Sequence, residues 1–133
     1  MKNNISFIDK LRSSGLRPTK QRLKICEVLF DTDSTFHFTV NDLVKIIDEK
    51  ISLATVYNTV HAFHKKGYLK EISINSDKSY FDTNTKIHHH FYDNETKELT
   101  DISDEQVEKV KINTSLPGKK ITSVEVLVRV ENK

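Results

Sequence analysis

Three features of this 133-residue sequence predict an α+β fold in two parts. Apolar residues recur at helical spacing in four segments up to Lys66. Two runs that follow, "YLKEISI" and "KSYFDT", read as strands around the turn "NSDK". Past Thr85 the pattern changes to short strand-like runs with one polar stretch between them. The expected division is therefore residues 1–84 and residues 85–133.

The elements follow in chain order. Residues 4–14 form a short helix ended by Ser13, Ser14 and Gly15. In "LRPTKQRLKICEVLF", Pro18 suits a first helical turn, and Leu23, Cys26 and Phe30 share a face. "DTDST" breaks that helix. Thr39 caps the next one, where Val40, Leu43, Val44 and Ile47 lie at i, i+3, i+4 and i+7. The fourth helix starts at Ser52, and Gly67 closes it. Leu53, Val56, Val60 and Phe63 form its apolar side, and Ala54, Thr55, Asn58 and His61 the other. In the second part, "HHHFYD" and "ELTDI" read as strands. "SDEQVEKVKIN" reads as an exposed helix from Ser103, and "KKITSVEVLVRV" as a last strand. Three strands and one helix in about 48 residues are too few to bury a core, so this half is expected to dimerise.

Helices followed by a hairpin in this order give an N-terminal winged helix-turn-helix, with a small C-terminal α/β dimerisation domain behind it. The open face of the fourth helix favours DNA over a plain helical bundle. A merely solvated face would carry Lys and Glu, whereas Ala, Thr, Asn and His suit close approach to base edges. The net charge of +2 is too small to indicate nucleic acid, but its distribution does. Residues 1–24 hold Lys2, Lys10, Arg12, Arg17, Lys20, Arg22 and Lys24 against Asp9 alone, while residues 93–108 are mostly acidic.

No run reaches the ~18 apolar residues of a membrane span, so no membrane partner is expected. The N-terminal stretch lacks an apolar signal core, which makes the cytoplasm the default location. Cys26 is the only cysteine, which excludes an internal disulfide and a cysteine-rich zinc site. Its apolar neighbours make it a buried small hydrophobe.

"GLRPTKQRLKI", "ISLATVYNTVHAFHKKGYLKEI", "KSYFDTNT" and "HHHFYD" together resemble the ferric uptake regulator family of transcription factors. The likeness covers nearly the whole chain. Within the family, "SLATVYNT", "SYFDTNT", the triple histidine and "SLPGKKI" are most similar to the iron response regulators of alphaproteobacteria. The resemblance implies a homodimer on double-stranded DNA that responds to iron status, with genes of iron and haem metabolism as targets. It also implies specific roles. Tyr57 and Asn58 would touch bases or thymine methyls. Arg17 would enter a narrow minor groove, Lys20 and Arg22 would hold phosphates, and Thr55 would add a hydroxyl contact. Most members carry arginine where this chain has Asn58. Asparagine pairs with adenine, so an A/T-rich inverted repeat is the expected site.

His37, Asp82, His88, His90 and Asp101 fall at the spacings of the family's regulatory metal site. A mixed nitrogen and oxygen set suits Fe²⁺, Mn²⁺ or Zn²⁺. On a strand His88 and His90 share one face, and His89 takes the other, towards Glu108. A full second metal site there is not expected, because Ile87 and Val124 stand where further ligands would be. In the iron response branch the triple histidine is associated with haem, for which imidazole is an ordinary axial ligand. His88, His89 and His90 are carried over as haem candidates, with a haem-delivering protein as the corresponding partner. Many members bind structural zinc through a Cys-x-x-Cys pair. Asp93 and Thr96 occupy those places, so thiolate zinc is excluded.

Three other readings remain at this point. One is a regulator responding directly to Fe, Mn or Zn. Another is a peroxide sensor that oxidises His37 or His90. A small metal-dependent hydrolase lacks an evident general base. The bland reading of the histidines is an exposed polar strand end.

Overall fold

The computed structural model describes residues 4–133, with side chains from Phe7 onward; Lys2 of the basic stretch lies outside them. The chain is α+β and divides into two compact units, Met1–Thr85 and Lys86–Lys133.

The first unit contains helices α1 (Asn4–Ser13), α2 (Lys20–Phe30), α3 (Val40–Ile46) and α4 (Leu53–Lys66). Strands β1 (His37–Phe38), β2 (Lys70–Asn75) and β3 (Lys78–Asp82) form an antiparallel sheet in the order β1-β3-β2. Local chemistry sets the helix ends. The Thr19 and Ser52 hydroxyls accept from the N–H groups of Arg22 and Thr55, satisfying donors that the first turn leaves open. Thr39 and Asp42 form a reciprocal capping box. Gly67 ends α4 with φ +92, in the left-handed region that only glycine enters without strain.

Pro18 lies one residue before the Thr19 cap rather than in the first turn. β1 is absent from the sequence reading because two residues carry no periodicity. On α4 the buried residues are Val56, Thr59, Val60 and Phe63. Leu53, expected among them, is 53% exposed, and Thr59 takes an inner place by donating its hydroxyl to the Thr55 carbonyl at 2.7 Å. The core joins Phe7, Leu11, Ile25, Leu29, Phe38 and Phe81 with the inner face of α4.

The second unit is a sheet in the order β5-β4-β6. β4 (His89–Asp93) lies between antiparallel β5 (Leu99–Ile102) and parallel β6 (Leu127–Val130). Asp93 shapes the β4–β5 turn: its carboxylate accepts from the N–H groups of Glu95 and Thr96, which holds its pKa below the usual carboxylate value. The helix expected from Ser103 is limited to a 3₁₀ turn, Asp104–Gln106. The last strand contracts to four residues. Residues 107–126 form neither helix nor strand. Val110, Ile112, Leu116 and Ile121 are 43%, 49%, 73% and 59% exposed. A helix of this length needs an apolar face to bury, and among the described residues these side chains stay largely uncovered.

Candidate functional site

Two surfaces carry the chemistry, one in each unit. In the first unit, Arg17, Lys20, Arg22 and Thr55 line one open cleft of about 550 Å³ at the N-terminal ends of α2 and α4. Arg22 is tied back by a hydrogen bond from its guanidinium to the Arg17 carbonyl at 3.0 Å. Thr55 is set by Ser52, whose hydroxyl lies 2.9 Å from its own. Three cations and two helix N-termini thus lie on one surface, an arrangement whose electrostatics favour anions. Further along α4, Tyr57 and Asn58 are exposed, Tyr57 to 51%. An aromatic ring half in water on a helix face is available to a partner. All six side chains expected on the DNA surface thus belong to α4, to α2, or to the approach to α2.

The sheet of the same unit holds His37 and Asp82. They are register partners across β1 and β3, so the backbone sets them directly opposite each other. Asp82 is buried, and the His37 ring meets Tyr80 edge-on at 6.2 Å.

In the second unit, His88, His89 and His90 are all buried, which removes the exposed strand end as an account of them. Strand alternation puts His88 and His90 on one face, with ring centroids 4.5 Å apart. Asp101 is the cross-strand partner of His90. Its carboxylate oxygen lies 3.2 Å from Nε2 of His90 and 3.7 Å from Nε2 of His88. One donor atom from each residue lies within 4.8 Å of the other two. The Nδ1 of His88 is 2.7 Å from the Lys86 carbonyl. A carbonyl only accepts, so Nδ1 donates there, and Nε2 is the atom turned towards Asp101. Anchoring the far nitrogen in this way is how proteins orient metal-ligating histidines. Two imidazole nitrogens and a carboxylate fit a divalent ion of intermediate softness.

His89 differs. Its Nδ1 accepts the Val126 N–H at 2.9 Å, so its Nε2 carries the proton and donates to Asp104 at 2.8 Å. Both nitrogens are engaged, Nδ1 by its lone pair and Nε2 by its proton. In this arrangement His89 anchors a strand and a turn, and it stands apart from the donors gathered around Asp101. Glu108 lines the same open cleft as His89, about 340 Å³, together with Asp104, Ile87, Val110 and Val124, but Glu108 is exposed. Asp104 was not anticipated as the partner of His89. It reaches the strand only through the turn after β5, which no residue spacing announces.

Cys26 is fully buried, and burial pushes its thiol up to about 12. Such a thiol has no nucleophilic or ligand role at neutral pH. Among the described residues no helix is long and apolar enough to cross a membrane.

The profile of the ferric uptake regulator family matches residues 13–129. A ferric uptake regulation protein of Vibrio parahaemolyticus is 37% identical over 103 residues, covering 74% of this chain and 68% of that protein. A peroxide-responsive repressor of Staphylococcus epidermidis is 32% identical over 107 residues, covering 78% of this chain and 70% of its own. The crystal structure of the Vibrio cholerae ferric uptake regulator, described with rearranged DNA-binding domains, superposes with a TM-score of 0.71 at 27% identity. It covers 94% of this chain and 98% of that one.

Proposed function

Because the chain belongs to the ferric uptake regulator family, and is thus a metal-responsive transcription regulator rather than an enzyme, we propose that it senses iron status through a divalent ion bound at His88, His90 and Asp101. The convergence of these three donors, with the His88 ring oriented by its backbone hydrogen bond, carries this reading. When bound, Fe²⁺, Mn²⁺ or Zn²⁺ would supply a fixed positive charge and directional coordination. His37 and Asp82 complete the ligand set in the proposal. They come from the first unit, so coordination would link the DNA-reading half to the other half and favour one arrangement of the two. His37 is not a rigid extension of a helix but part of a two-residue strand, which suits a ligand that engages and releases.

Arg17, Lys20, Arg22 and Thr55 are proposed to hold the DNA backbone, and Tyr57 and Asn58 to read bases at an A/T-rich inverted repeat. Members of the family are DNA-binding dimers. The second unit is proposed as the dimer half. Its uncovered Val110, Ile112, Leu116 and Ile121 supply apolar surface for a second copy. The protein would act in the cytoplasm on genes of iron metabolism. Haem is not part of the proposal, since His89 is committed to Val126 and Asp104.

The test is operator binding by the metal-free and Mn²⁺-loaded protein. The operator is first selected by the protein from random duplex DNA. A change in affinity of about 5- to 150-fold, the ordinary range of such couplings, is expected for wild type and lost in His90→Ala. Equal affinities of the two wild-type forms would refute metal control. Failure to select any A/T-rich inverted repeat would refute the base-reading assignment.

A second reading, peroxide sensing, is favoured by the likeness to the staphylococcal repressor. Incorporation of one oxygen atom into His37 or His90 after peroxide treatment of the Fe²⁺ form, seen by mass spectrometry, would establish it.

A further inference from the structure

His61, a half-buried histidine of α4 in contact with Tyr57, is used by none of the roles above. It lies one helical turn after Tyr57, and their rings stack with centroids 4.1 Å apart at 36°. On its other side the His61 ring meets Phe81 edge-on at 5.4 Å. Phe81 is a β3 core residue, only 2% exposed, whose ring also packs against Phe38. A chain of ring contacts therefore runs from the sheet, through His61, to the exposed ring of Tyr57. Tyr57 and His61 also line two open clefts beside α4, one of them shared with Lys65 and Lys66 and the other with Glu71 and Lys78. The pair stands as a ridge between the two.

We propose that His61 is a positioning residue for base reading, bracing the Tyr57 ring in one orientation against the sheet. An exposed helical tyrosine otherwise exchanges between two χ1 rotamers. Ordering such a side chain on binding weakens the complex, and holding it beforehand removes that cost. The inference rests on the assignment of Tyr57 to base contact. It makes His61 a determinant of how sharply this chain recognises a thymine methyl, an apolar group that an aromatic ring meets well.

The experiment uses the full-length protein and the operator it selects. Each thymine of one half-site is replaced in turn by deoxyuridine, which removes a single methyl. Wild type is expected to bind one such duplex more weakly, and Tyr57→Ala to lose that distinction. His61→Ala is expected to lose about 2- to 12-fold in operator affinity, the effect of one unbraced side chain, and to blunt the same distinction. Its binding to nonspecific duplex and its thermal midpoint should change little, and His61→Phe, which keeps a ring against Phe81, should restore discrimination. If Tyr57→Ala loses the distinction while His61→Ala keeps it, the inference is wrong and base reading by Tyr57 stands. If His61→Ala weakens specific and nonspecific DNA equally, His61 is merely structural and the inference is also wrong. If no thymine is distinguished through Tyr57, the base-reading assignment falls and the inference with it.

Discussion

Replacing His89 by alanine should loosen the start of β6 without removing the metal donors. The Val126 peptide is held to β4 at both of its polar groups. The His90 N–H donates to the Val126 carbonyl at 3.1 Å, and the Val126 N–H donates to Nδ1 of His89 at 2.9 Å. His89→Ala removes the second bond and leaves a half-buried N–H without its acceptor, at a cost of about 1–3 kcal/mol. Loss of the Asp104 bond adds little, because Asp104 is largely exposed and rehydrates. Hydrogen exchange read by mass spectrometry on a peptide spanning 126–130 should show protection falling by about 5- to 150-fold, the same free energy expressed as an equilibrium. His89→Asn, whose amide oxygen takes roughly the place of Nδ1, should recover much of it. Mn²⁺ affinity should fall far less in His89→Ala than in His88→Ala. An His89→Ala protein with intact protection of 126–130 but no metal binding would refute the reasoning, since it would make His89 a ligand rather than a strand anchor.

Other outcomes follow from the same structure. Cys26 should resist thiol reagents in the folded protein at neutral pH. Its raised pKa also works against the fold on the alkaline side. The unfolded chain releases the proton above about 9 and the folded chain holds it to about 12, so stability falls by about 1.4 kcal/mol per pH unit between them. Urea unfolding at pH 7.5 and 10 should show a smaller difference in Cys26→Ala. Lys20→Ala should weaken all duplexes alike and reduce the slope of log K against log salt by about 0.9, as gel shifts at several salt concentrations would read. Gly67→Ala should destabilise the first unit by about 1–2 kcal/mol in chemical denaturation, because φ +92 strains any Cβ although the space around it is open.

What the sequence made legible is local. Ser52, Thr39 and Gly67 mark helix ends by chemistry that needs no tertiary context, and the structure keeps all three. The alternation that separates His88 and His90 from His89 is a property of any strand, so it too was readable. What escaped depends on partners distant in sequence. Leu53 fits the helical period, yet it sits at the first turn of α4, where it remains exposed, and Thr59 fills the inner face by satisfying its own hydroxyl. The helix expected after Ser103 has the right pattern, but pattern alone supplies no surface to bury against. The engagement of both His89 nitrogens needs Val126, 37 residues on, and Asp104, 15 residues on. The six candidate DNA-contact residues were carried over from family likeness, and only the packing of α2 against α4 brings four of them, Arg17, Lys20, Arg22 and Thr55, to one cleft.

The claim that the histidine centre and the DNA surface are coupled has a direct test in reciprocity. Whatever factor Mn²⁺ contributes to operator affinity, the operator must contribute to Mn²⁺ affinity. Equilibrium dialysis of Mn²⁺ against the wild-type protein, with and without saturating operator duplex, measures it. The account predicts a shift in metal affinity of about 5- to 150-fold, equal to the factor found in DNA binding and absent in His90→Ala. An Mn²⁺ affinity unchanged by operator DNA would contradict it.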